Sequence, residues 1–415
     1  MYLTGLECVH CRRRYHPREV EYFCPACGYN DGILDAQYDL DAARKALNRE
    51  TLSADRNLTI WRYLPLLPVA DPTLIPHLSV GWTPLYDAPR LAADLRIARC
   101  WVKDDGRSPT ASFKDRASAV GVVKALEKKA SRITCASTGN AASSLAGFAA
   151  AAALPATIFV PARAPQAKVA QLLVYGATVF SVQGSYDQAW ELCMQASREF
   201  GWYNRNCAVN PYLIEGKKTA GLELAEQFLW MNDSAFPDWV VVSVGDGCTI
   251  GGVWKGLKEI HALGLLPRLP RILGVQAEGS KPFVDAWRSD GILKPCDAST
   301  VADSICVGHP RNFAKGMRAV TESNGAFIAV PDEEILAAIP LLARKAGVFA
   351  EPAGAAAASG LKAALAQGIV GRNETAVLLA TGNGLKDIQS AMRICGQATA
   401  IEPNIDAVRR AVATN

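Results

Sequence analysis

The sequence lacks a strong excess of charge of either sign. Its 415 residues include 44 lysines and arginines and 40 aspartates and glutamates, which gives a net charge of +4. A surface that binds nucleic acid usually requires a larger basic excess, so the composition argues against a nucleic-acid partner. The run Arg12-Arg-Arg14 does not change this conclusion, because three adjacent arginines are more often a solvated loop than a binding site.

The sequence also lacks the signs of a secretory signal or a membrane helix. Residues 1–8 have neither a basic start nor an apolar core. The uncharged stretch 140–162 is long enough to span a bilayer, but alanine, serine and glycine dominate it and Pro155 interrupts it. We predict a buried helix at 141–153 and a buried strand at 156–160, with no membrane span.

Cysteine, in contrast, is not scarce. Of the 12 cysteines, eight are scattered singly along the chain, as reduced thiols in a core would be. This pattern argues against a disulfide scaffold and favours a reducing, cytoplasmic environment.

The other four cysteines form two CxxC pairs separated by twelve residues: Cys8 and Cys11, then Cys24 and Cys27. Two such pairs can direct four thiolates at one point, which is a tetrahedral ligand set that suits zinc. Because so short a segment cannot bury a core, we predict a structural zinc ion in a ribbon over residues 1–35. A ribbon without metal, or one that binds iron in a rubredoxin-like way, is the alternative. His10 or His16 could also replace a thiolate.

From residue 97 onward, short apolar strands alternate with helical patterns. We predict strands at 132–136, 156–160, 178–182, 239–244, 272–277, 326–330 and 376–380. This alternation is typical of an α/β fold whose parallel sheet is covered on both faces. Residues 36–80 are predicted to form a connector with a helical piece at 42–47 and an apolar turn at 61–67, and its prolines break any longer helix.

Lys114 lies in the stretch Ser112-Phe-Lys-Asp-Arg116, between a predicted strand at 101–105 and a predicted helix at 117–126. A lysine that forms a Schiff base must lose a proton from a reference pKa of about 10.4, which requires a special setting. The alternative is an ordinary solvated lysine at a helix start.

Three further turns follow apolar strands. Ser137-Thr-Gly-Asn140 opens a helix whose amides could hold a carboxylate, although the same residues would make an ordinary N-cap. In Gly245-Asp-Gly-Cys-Thr249, glycines would let amides approach a phosphate. Asp246 is unfavourable beside a dianion unless its side chain turns away or caps the loop. The last of these turns, Thr381-Gly-Asn-Gly384, follows the C-terminal end of the last strand, and open α/β sheets bind ligands at this end. The alternative is a simple glycine-rich turn after a core strand.

These four stretches, in this order, resemble the motifs of the fold-type-II pyridoxal-phosphate enzymes, and of the threonine synthases in particular. Weaker matches are Thr83-Pro-Leu85 and Glu351-Pro-Ala353, and the resemblance extends over residues 80–395. It implies two lobes with the cofactor between them: a large domain from 81–131 and 217–415, and a small substrate domain from 132–216. We also expect a homodimer.

The resemblance implies a role for each motif. Lys114 would hold pyridoxal phosphate and act as the base, and the Thr381 hydroxyl would contact the pyridine nitrogen. The cofactor phosphate would lie on Gly245, Asp246, Gly247, Cys248 and Thr249. The substrate α-carboxylate would lie on Ser137, Thr138, Gly139 and Asn140, and the Asn140 amide would also meet the pyridoxal 3-oxygen.

Two positions depart from the threonine synthase pattern. Members of that family usually carry threonine at the position of Ala141, and an arginine that grips the substrate phosphate at the position of Leu213. Leucine offers no charge-assisted bond to an anion. The cations that could compensate are Lys217, Lys218 and Arg311.

The resemblance implies a lyase that converts O-phospho-L-homoserine to L-threonine and phosphate. The alternative, favoured by Ala141 and Leu213, is β-replacement or β-elimination on a serine-type amino acid, as in cysteate synthases and in threonine or serine dehydratases. A non-enzymatic ribbon protein on a dead enzyme scaffold would carry a damaged lysine or cofactor loop, and the sequence shows neither.

Overall fold

The chain begins with a small antiparallel sheet that carries the cysteine pairs. The computed structural model of the protein describes residues 2–162, 164, 166–207, 209–231 and 236–413. In the first sheet, β1 (Leu3–Cys8) pairs with β2 (Arg14–Tyr15) on one side and with β3 (Leu34–Tyr38) on the other. The short helix α1 (Gly28–Asp31) follows the second cysteine pair.

A connector of short helices follows the first sheet. It contains α2 (Leu40–Ala46), α3 (Arg49–Ala54) and two 3₁₀ segments, Ile60–Leu66 and Pro72–Leu74. The predicted helical piece at 42–47 corresponds to α2, whereas the stretch 61–67, expected as an apolar turn, is mostly a 3₁₀ helix that contains Pro65. Arg62 Nη2 lies 2.6 Å from Glu226 Oε1, so a buried ion pair anchors the connector on the rest of the protein.

The larger parallel layer is a mixed sheet. Its strands are β4 (Leu85–Asp87), β5 (Arg99–Asp104), β10 (Trp239–Ser243), β11 (Arg271–Ala277), β12 (Ala326–Val330) and β13 (Thr375–Ala380). Their order is β12-β11-β10-β13-β5-β4. All neighbours are parallel except β4 and β5. The sequence gives no signal for the antiparallel edge strand β4, because its three residues include a single apolar aliphatic side chain.

The smaller parallel layer contains β6 (Ile133–Ala136), β7 (Ala156–Pro161), β8 (Thr178–Val182) and β9 (Tyr203–Asn204), in the order β8-β7-β6-β9. The uncharged stretch forms α6 (Asn140–Ala151) and β7, so the predicted buried helix and strand are confirmed. Within the described residues, no helix combines the length and the apolar character that a bilayer span requires.

Helices cover both faces of the larger sheet. They and the other helices are α4 (Pro89–Leu95), α5 (Lys114–Glu127), α7 (Gln166–Val174), α8 (Tyr186–Glu199), α9 (Tyr212–Leu229), α10 (Cys248–Ala262), α11 (Pro282–Trp287), α12 (Phe313–Glu322), α13 (Asp332–Ala346), α14 (Pro352–Ala366), α15 (Ile388–Cys395) and α16 (Ile405–Ala413). Successive strand residues face opposite cores. Val241 and Leu378 pack in the core with the alanine-rich α14, whereas Val240 and Val377 pack in the core with α10.

The first sheet contacts both parallel layers. On the larger layer, Asp35 of β3 ion-pairs with Lys315 at 2.8 Å and with Lys255 at 3.2 Å. On the smaller layer, the Tyr29 ring packs against the Trp190 ring of α8 with 5.5 Å between their centroids. The cysteine-containing region is therefore fixed to the body at two separate places.

A buried charge cluster joins α5 to α9 and β5. Arg116 Nε lies 2.6 Å from Asp105 Oδ2, and Arg116 Nη1 lies 2.8 Å from Glu223 Oε2. Lys103 also ion-pairs with Glu223, and the Thr83 hydroxyl donates to Asp105 at 2.6 Å. Burial alone would raise the pKa of the Glu223 carboxyl, but the neighbouring Arg116 and Lys103 lower this pKa to about 2. Glu223 thus stays ionised, and the cluster fixes the start of α5.

We expect Glu223→Gln to lower the free energy of unfolding by about 3–5 kcal/mol, because it leaves Arg116 and Lys103 buried without their shared counter-ion. Lys362→Gln is a matched control: its ion pair with Glu334 is exposed, so its loss should cost less than about 1 kcal/mol. Denaturant unfolding followed by tryptophan fluorescence measures both variants. Equal effects of the two substitutions would contradict the importance of the buried cluster.

Candidate active site

A cavity of about 740 Å³ opens where the carboxyl ends of strands from both parallel layers meet. Its wall contains all the residues that the sequence predicts for cofactor and substrate: Lys114, Ser137, Thr138, Gly139, Asn140, Gly245, Asp246, Gly247, Cys248, Thr249 and Thr381. Open α/β sheets commonly bind ligands at this edge. The fold therefore brings the predicted residues into one space, and the geometry of each part bears on what it can do.

Lys114 is the first residue of α5, so this helix begins three residues before its predicted start. Its position is fixed on both sides. The Phe113 amide donates to the Thr381 carbonyl oxygen at 2.9 Å, and Arg116 is held in the buried charge cluster. Burial, and then the positive charge of Lys217, lower the pKa of the Lys114 amine to about 8. A useful fraction of neutral amine is thus present near neutral pH, which an ordinary surface lysine does not offer.

The first turn of α6 is organised by a buried carboxyl group. Asn140 Nδ2 donates to Glu351 Oε1 at 2.6 Å and to Ser304 Oγ at 3.2 Å. The N-cap residue is Gly139, which has no side chain, so this turn is not an ordinary side-chain N-cap. Burial raises the pKa of Glu351 to about 6. Glu351, which the sequence marks only through a weak motif, therefore belongs to the cavity wall and orients the Asn140 amide.

The glycine-rich loop between β10 and α10 has a backbone shape that suits an anion. Gly247 has a φ of +86°, and a Cβ at this position would lie 2.5 Å from the Asn312 carbonyl oxygen, so glycine is required. Helix α10 begins at Cys248, and the first amides of a helix have no carbonyl partner within it. Together with the positive end of the helix dipole, these amides fit a phosphate group.

Asp246 caps this loop. Its Oδ1 accepts a hydrogen bond from the Arg311 amide at 2.7 Å, and the Cys248 thiol lies 3.4 Å from its Oδ2. Burial raises the pKa of the Asp246 carboxyl, which favours its neutral form. Of the two conformations that the sequence leaves open, the structure contains the capping one, and in it the carboxyl group repels a nearby anion less.

Lysine and arginine side chains that could replace an arginine at position 213 differ in whether they reach the cavity and in whether they are already paired. Leu213 is fully buried and is not part of the cavity wall. Lys218 lies 2.6 Å from Glu215 and 2.7 Å from Glu259, so its charge is already neutralised by two carboxylates. Lys217, in contrast, lines the cavity.

Two arginines, Arg311 and Arg205, also line the cavity. The guanidinium of Arg311 lies 4.2 Å from the centre of the Trp190 ring. Arg205 follows β9, a strand of two residues that is too short to be recognised in the sequence. Cys207 also lines the cavity, and no sequence motif marks either Arg205 or Cys207.

The cysteine pairs converge at a separate place, in the first sheet. Their four Sγ atoms lie within 4.8 Å of one another, with Cys8 and Cys27 at 3.8 Å and Cys11 and Cys24 at 3.7 Å. Tetrahedral zinc with Zn–S bonds of about 2.3 Å requires sulfur–sulfur distances of about 3.8 Å, so the thiols fit this ion. The Tyr15 hydroxyl lies 3.0 Å from Cys24 Sγ and can orient this ligand. Neither histidine of the ribbon belongs to the cluster.

The lowered pKa of Lys114 predicts a pH profile for uptake of pyridoxal phosphate, the cofactor that the resemblance implies. We expect the uptake rate of the cofactor-free protein to rise with pH and to level off above about pH 8, because only the neutral amine attacks an aldehyde. An unshifted lysine would level off only above about pH 10.4. Stopped-flow absorbance measures the rate, and Lys114→Ala should abolish this phase. A rate that still rises tenfold per unit above about pH 9 would contradict the lowered pKa.

Comparison with known proteins gives a family and a fold. The family model for pyridoxal-phosphate dependent enzymes matches residues 77–382. Among solved structures, diaminopropionate ammonia lyase from Escherichia coli has a TM-score of 0.66 and 18% identity, and covers 76% of this chain and 87% of its own. Threonine deaminase isoform 2 from Solanum lycopersicum has a TM-score of 0.63 and 24% identity, with 76% and 88% covered. At these identities the likeness shows a shared fold.

Curated relatives match almost the whole chain. Threonine synthase from Methanosarcina acetivorans is 40% identical over 411 residues, which cover 98% of this chain and 98% of the relative. Threonine synthase from Methanocaldococcus jannaschii is 38% identical over 406 residues, with 97% and 98% covered. The match includes the ribbon and the connector as well as the two parallel layers. The chain therefore belongs to the pyridoxal-phosphate dependent enzymes and, within them, to the threonine synthases.

Proposed function

We propose that the chain converts O-phospho-L-homoserine to L-threonine and inorganic phosphate with pyridoxal phosphate as its cofactor. The observation that carries the proposal is the cavity itself. In it, the Lys114 amine with its lowered pKa lies together with the glycine-rich loop and the start of α6. An aldehyde, a phosphate and an α-carboxylate each have a suitable group there. The names of the full-length relatives support the same reaction.

The cavity residues have distinct proposed roles. When bound, pyridoxal phosphate withdraws electrons from the bonds at the substrate α carbon. Lys114 holds the cofactor and moves a proton between the α and β carbons. The Thr381 hydroxyl would contact the pyridine nitrogen, and it would stabilise the protonated form of that nitrogen less than a carboxylate does.

The remaining residues position the two ligands. The cofactor phosphate would lie on Gly245, Asp246, Gly247, Cys248 and Thr249. The substrate α-carboxylate would lie on Ser137, Thr138, Gly139 and Asn140. The Asn140 amide, which donates to Glu351, would also meet the pyridoxal 3-oxygen.

A second candidate reaction is β-replacement or β-elimination on a serine-type amino acid. Ala141 lines the cavity without a hydroxyl group, and Leu213 is buried outside the cavity wall. Both differences remove polar contacts that the family pattern would give to a phosphorylated substrate. They are the observations that favour this candidate.

The two candidates differ in their products. We expect O-phospho-L-homoserine to give phosphate and threonine in equal amounts, with kcat/KM of at least about 10⁴ M⁻¹s⁻¹. Serine, threonine and O-phosphoserine should react more slowly, because the reaction requires a leaving group on the γ carbon. Phosphate, ammonia and amino-acid assays measure the products, and Lys114→Ala controls for contaminating activity. Faster ammonia release from serine or threonine would favour the second candidate.

We further propose that Cys8, Cys11, Cys24 and Cys27 hold one structural zinc ion, since their sulfur atoms have the spacing of a tetrahedral site. The ion stabilises the ribbon and takes no part in the reaction.

Elemental analysis should find about one zinc per chain in wild-type protein, because four thiolates form a closed ligand set. Cys11→Ser should lower this content, because it removes one ligand. Cys395→Ser, which changes an exposed cysteine far along the chain, should not. Protein that is prepared without chelator and contains no metal, or contains iron, would contradict the zinc assignment.

We propose the domain boundaries 1–35, 36–80, 81–131 with 217–415, and 132–216. The distribution of strands supports them, since the smaller layer uses strands between residues 133 and 204. The first sheet continues to Tyr38.

A homodimer is supported by exposed apolar residues on α15 and α16, such as Met392 and Val412. The free cysteines support a cytoplasmic location.

A further inference from the structure

Two buried cations of the cavity have no carboxylate partner. Arg205 and Lys217 are each 2% exposed, and both belong to the cavity wall. Within the described part of the chain, neither of them forms an ion pair. A buried cation without a partner is unfavourable, and an anion that enters the cavity would remove the penalty.

Arg205 is held by neutral groups that leave some of its donors free. Its Nε and Nη2 lie 3.2 Å and 3.1 Å from the Ser118 hydroxyl, and its Nη1 lies 3.4 Å from Cys207 Sγ. A guanidinium carries five N–H donors in a planar fork that matches the oxygens of a phosphate. The contact with Ser118 of α5 fixes the plane of the group, and the remaining donors are available to a ligand.

Lys217 lies one helical turn beyond Leu213 on α9. Burial alone would lower the pKa of the Lys217 amine. The thiols of Cys207 and Cys248 have the opposite effect and raise this pKa, so the amine stays charged. A hydrogen bond from Cys248, and then the positive charge of Lys217, hold the pKa of the Cys207 thiol well below its usual range. The Cys207 thiol therefore lies among groups that favour its ionised form.

The other groups of the cavity leave one anion unassigned. The cofactor phosphate has the amides of the glycine-rich loop, and the substrate α-carboxylate has the start of α6. Lys114 is reserved for the cofactor aldehyde. Arg311 is only half-buried and lies against the Trp190 ring. A phosphorylated amino acid carries a further anionic group at the end of its side chain. Arg205 and Lys217 are the cavity cations to which no other ligand group has been assigned.

We propose that Arg205 and Lys217 bind the anionic group at the side-chain end of the substrate, in place of the arginine that is absent at Leu213. This inference rests on the proposed function. It makes the substrate an amino acid with a phosphate ester on its side chain rather than serine or threonine. Arg205 gives directional hydrogen bonds to the phosphate oxygens, and Lys217 adds a charge that adapts to their position.

Binding to the holoenzyme tests the inference without turnover. One ligand is the phosphonate isostere of O-phospho-L-homoserine, in which a methylene replaces the ester oxygen. The other is L-norvaline, which has the same α-amino acid end and no charge on its side chain. Calorimetry should show that Arg205→Gln and Lys217→Gln each weaken phosphonate binding roughly 10- to 100-fold and leave L-norvaline binding unchanged. Lys217→Arg, which keeps the charge, should retain most of the phosphonate affinity.

The same variants separate the inference from its alternatives. If they lose affinity for pyridoxal phosphate while the preference for the phosphonate persists, the two cations serve the cofactor and the inference is wrong. It is also wrong if Arg311→Gln abolishes the preference and the other two variants do not. If wild-type enzyme prefers the phosphonate through Arg205 and Lys217 but releases no threonine, the proposed reaction fails and the anion site stands. Melting temperatures identify any variant that fails to fold.

Discussion

The position of Lys114 depends on the buried ion pairs that Arg116 makes with Asp105 and Glu223. These pairs fix the first turn of α5 to β5 and α9. The carboxyl group of Asp115, the residue directly after Lys114, accepts a hydrogen bond from the Thr110 amide at 2.6 Å, so the turn before the helix is fixed as well. Each neighbour of the lysine is an anchor, and the flexible side chain therefore starts from a rigid base. Rigid support of this kind is what an exact reacting geometry requires.

Much of the fold and the candidate site could be predicted from the sequence because each motif follows an apolar strand. Strands such as β6, β10 and β13 are short, buried and alternate with helices, which gives a strong signal for parallel pairing. Parallel strands place their carboxyl ends at one edge. The turns at Ser137, Gly245 and Thr381 must then lie close together, whatever their distance along the chain. The roles of these residues stay predictions until they are tested.

The contacts that the sequence did not reveal join distant segments of the chain. Glu351 reaches Asn140 across 211 positions, and Arg205 reaches Ser118 across 87. Neither contact leaves a local pattern, since an isolated glutamate or arginine is usually a solvated side chain. The cap formed by Asp246 is similar, because its partner is an amide in another loop. Strand β4 escaped for a different reason: its three residues acquire strand structure only by pairing with β5.

The two attachments of the ribbon have a consequence for motion in the cleft. Asp35 holds the ribbon to the larger layer, and Tyr29 holds it to the smaller one, so the ribbon acts as a brace between the two walls of the active site. Any hinge motion that widens the cleft must stretch an ion pair with a largely buried lysine or slide one aromatic ring off another. Loss of the ribbon's own fold would thus increase the amplitude of opening, and it would also expose the core that the ribbon shares with α5, α6 and the smaller layer. In this enzyme, a small appendage that contacts both layers therefore limits how far the walls of the cavity can separate.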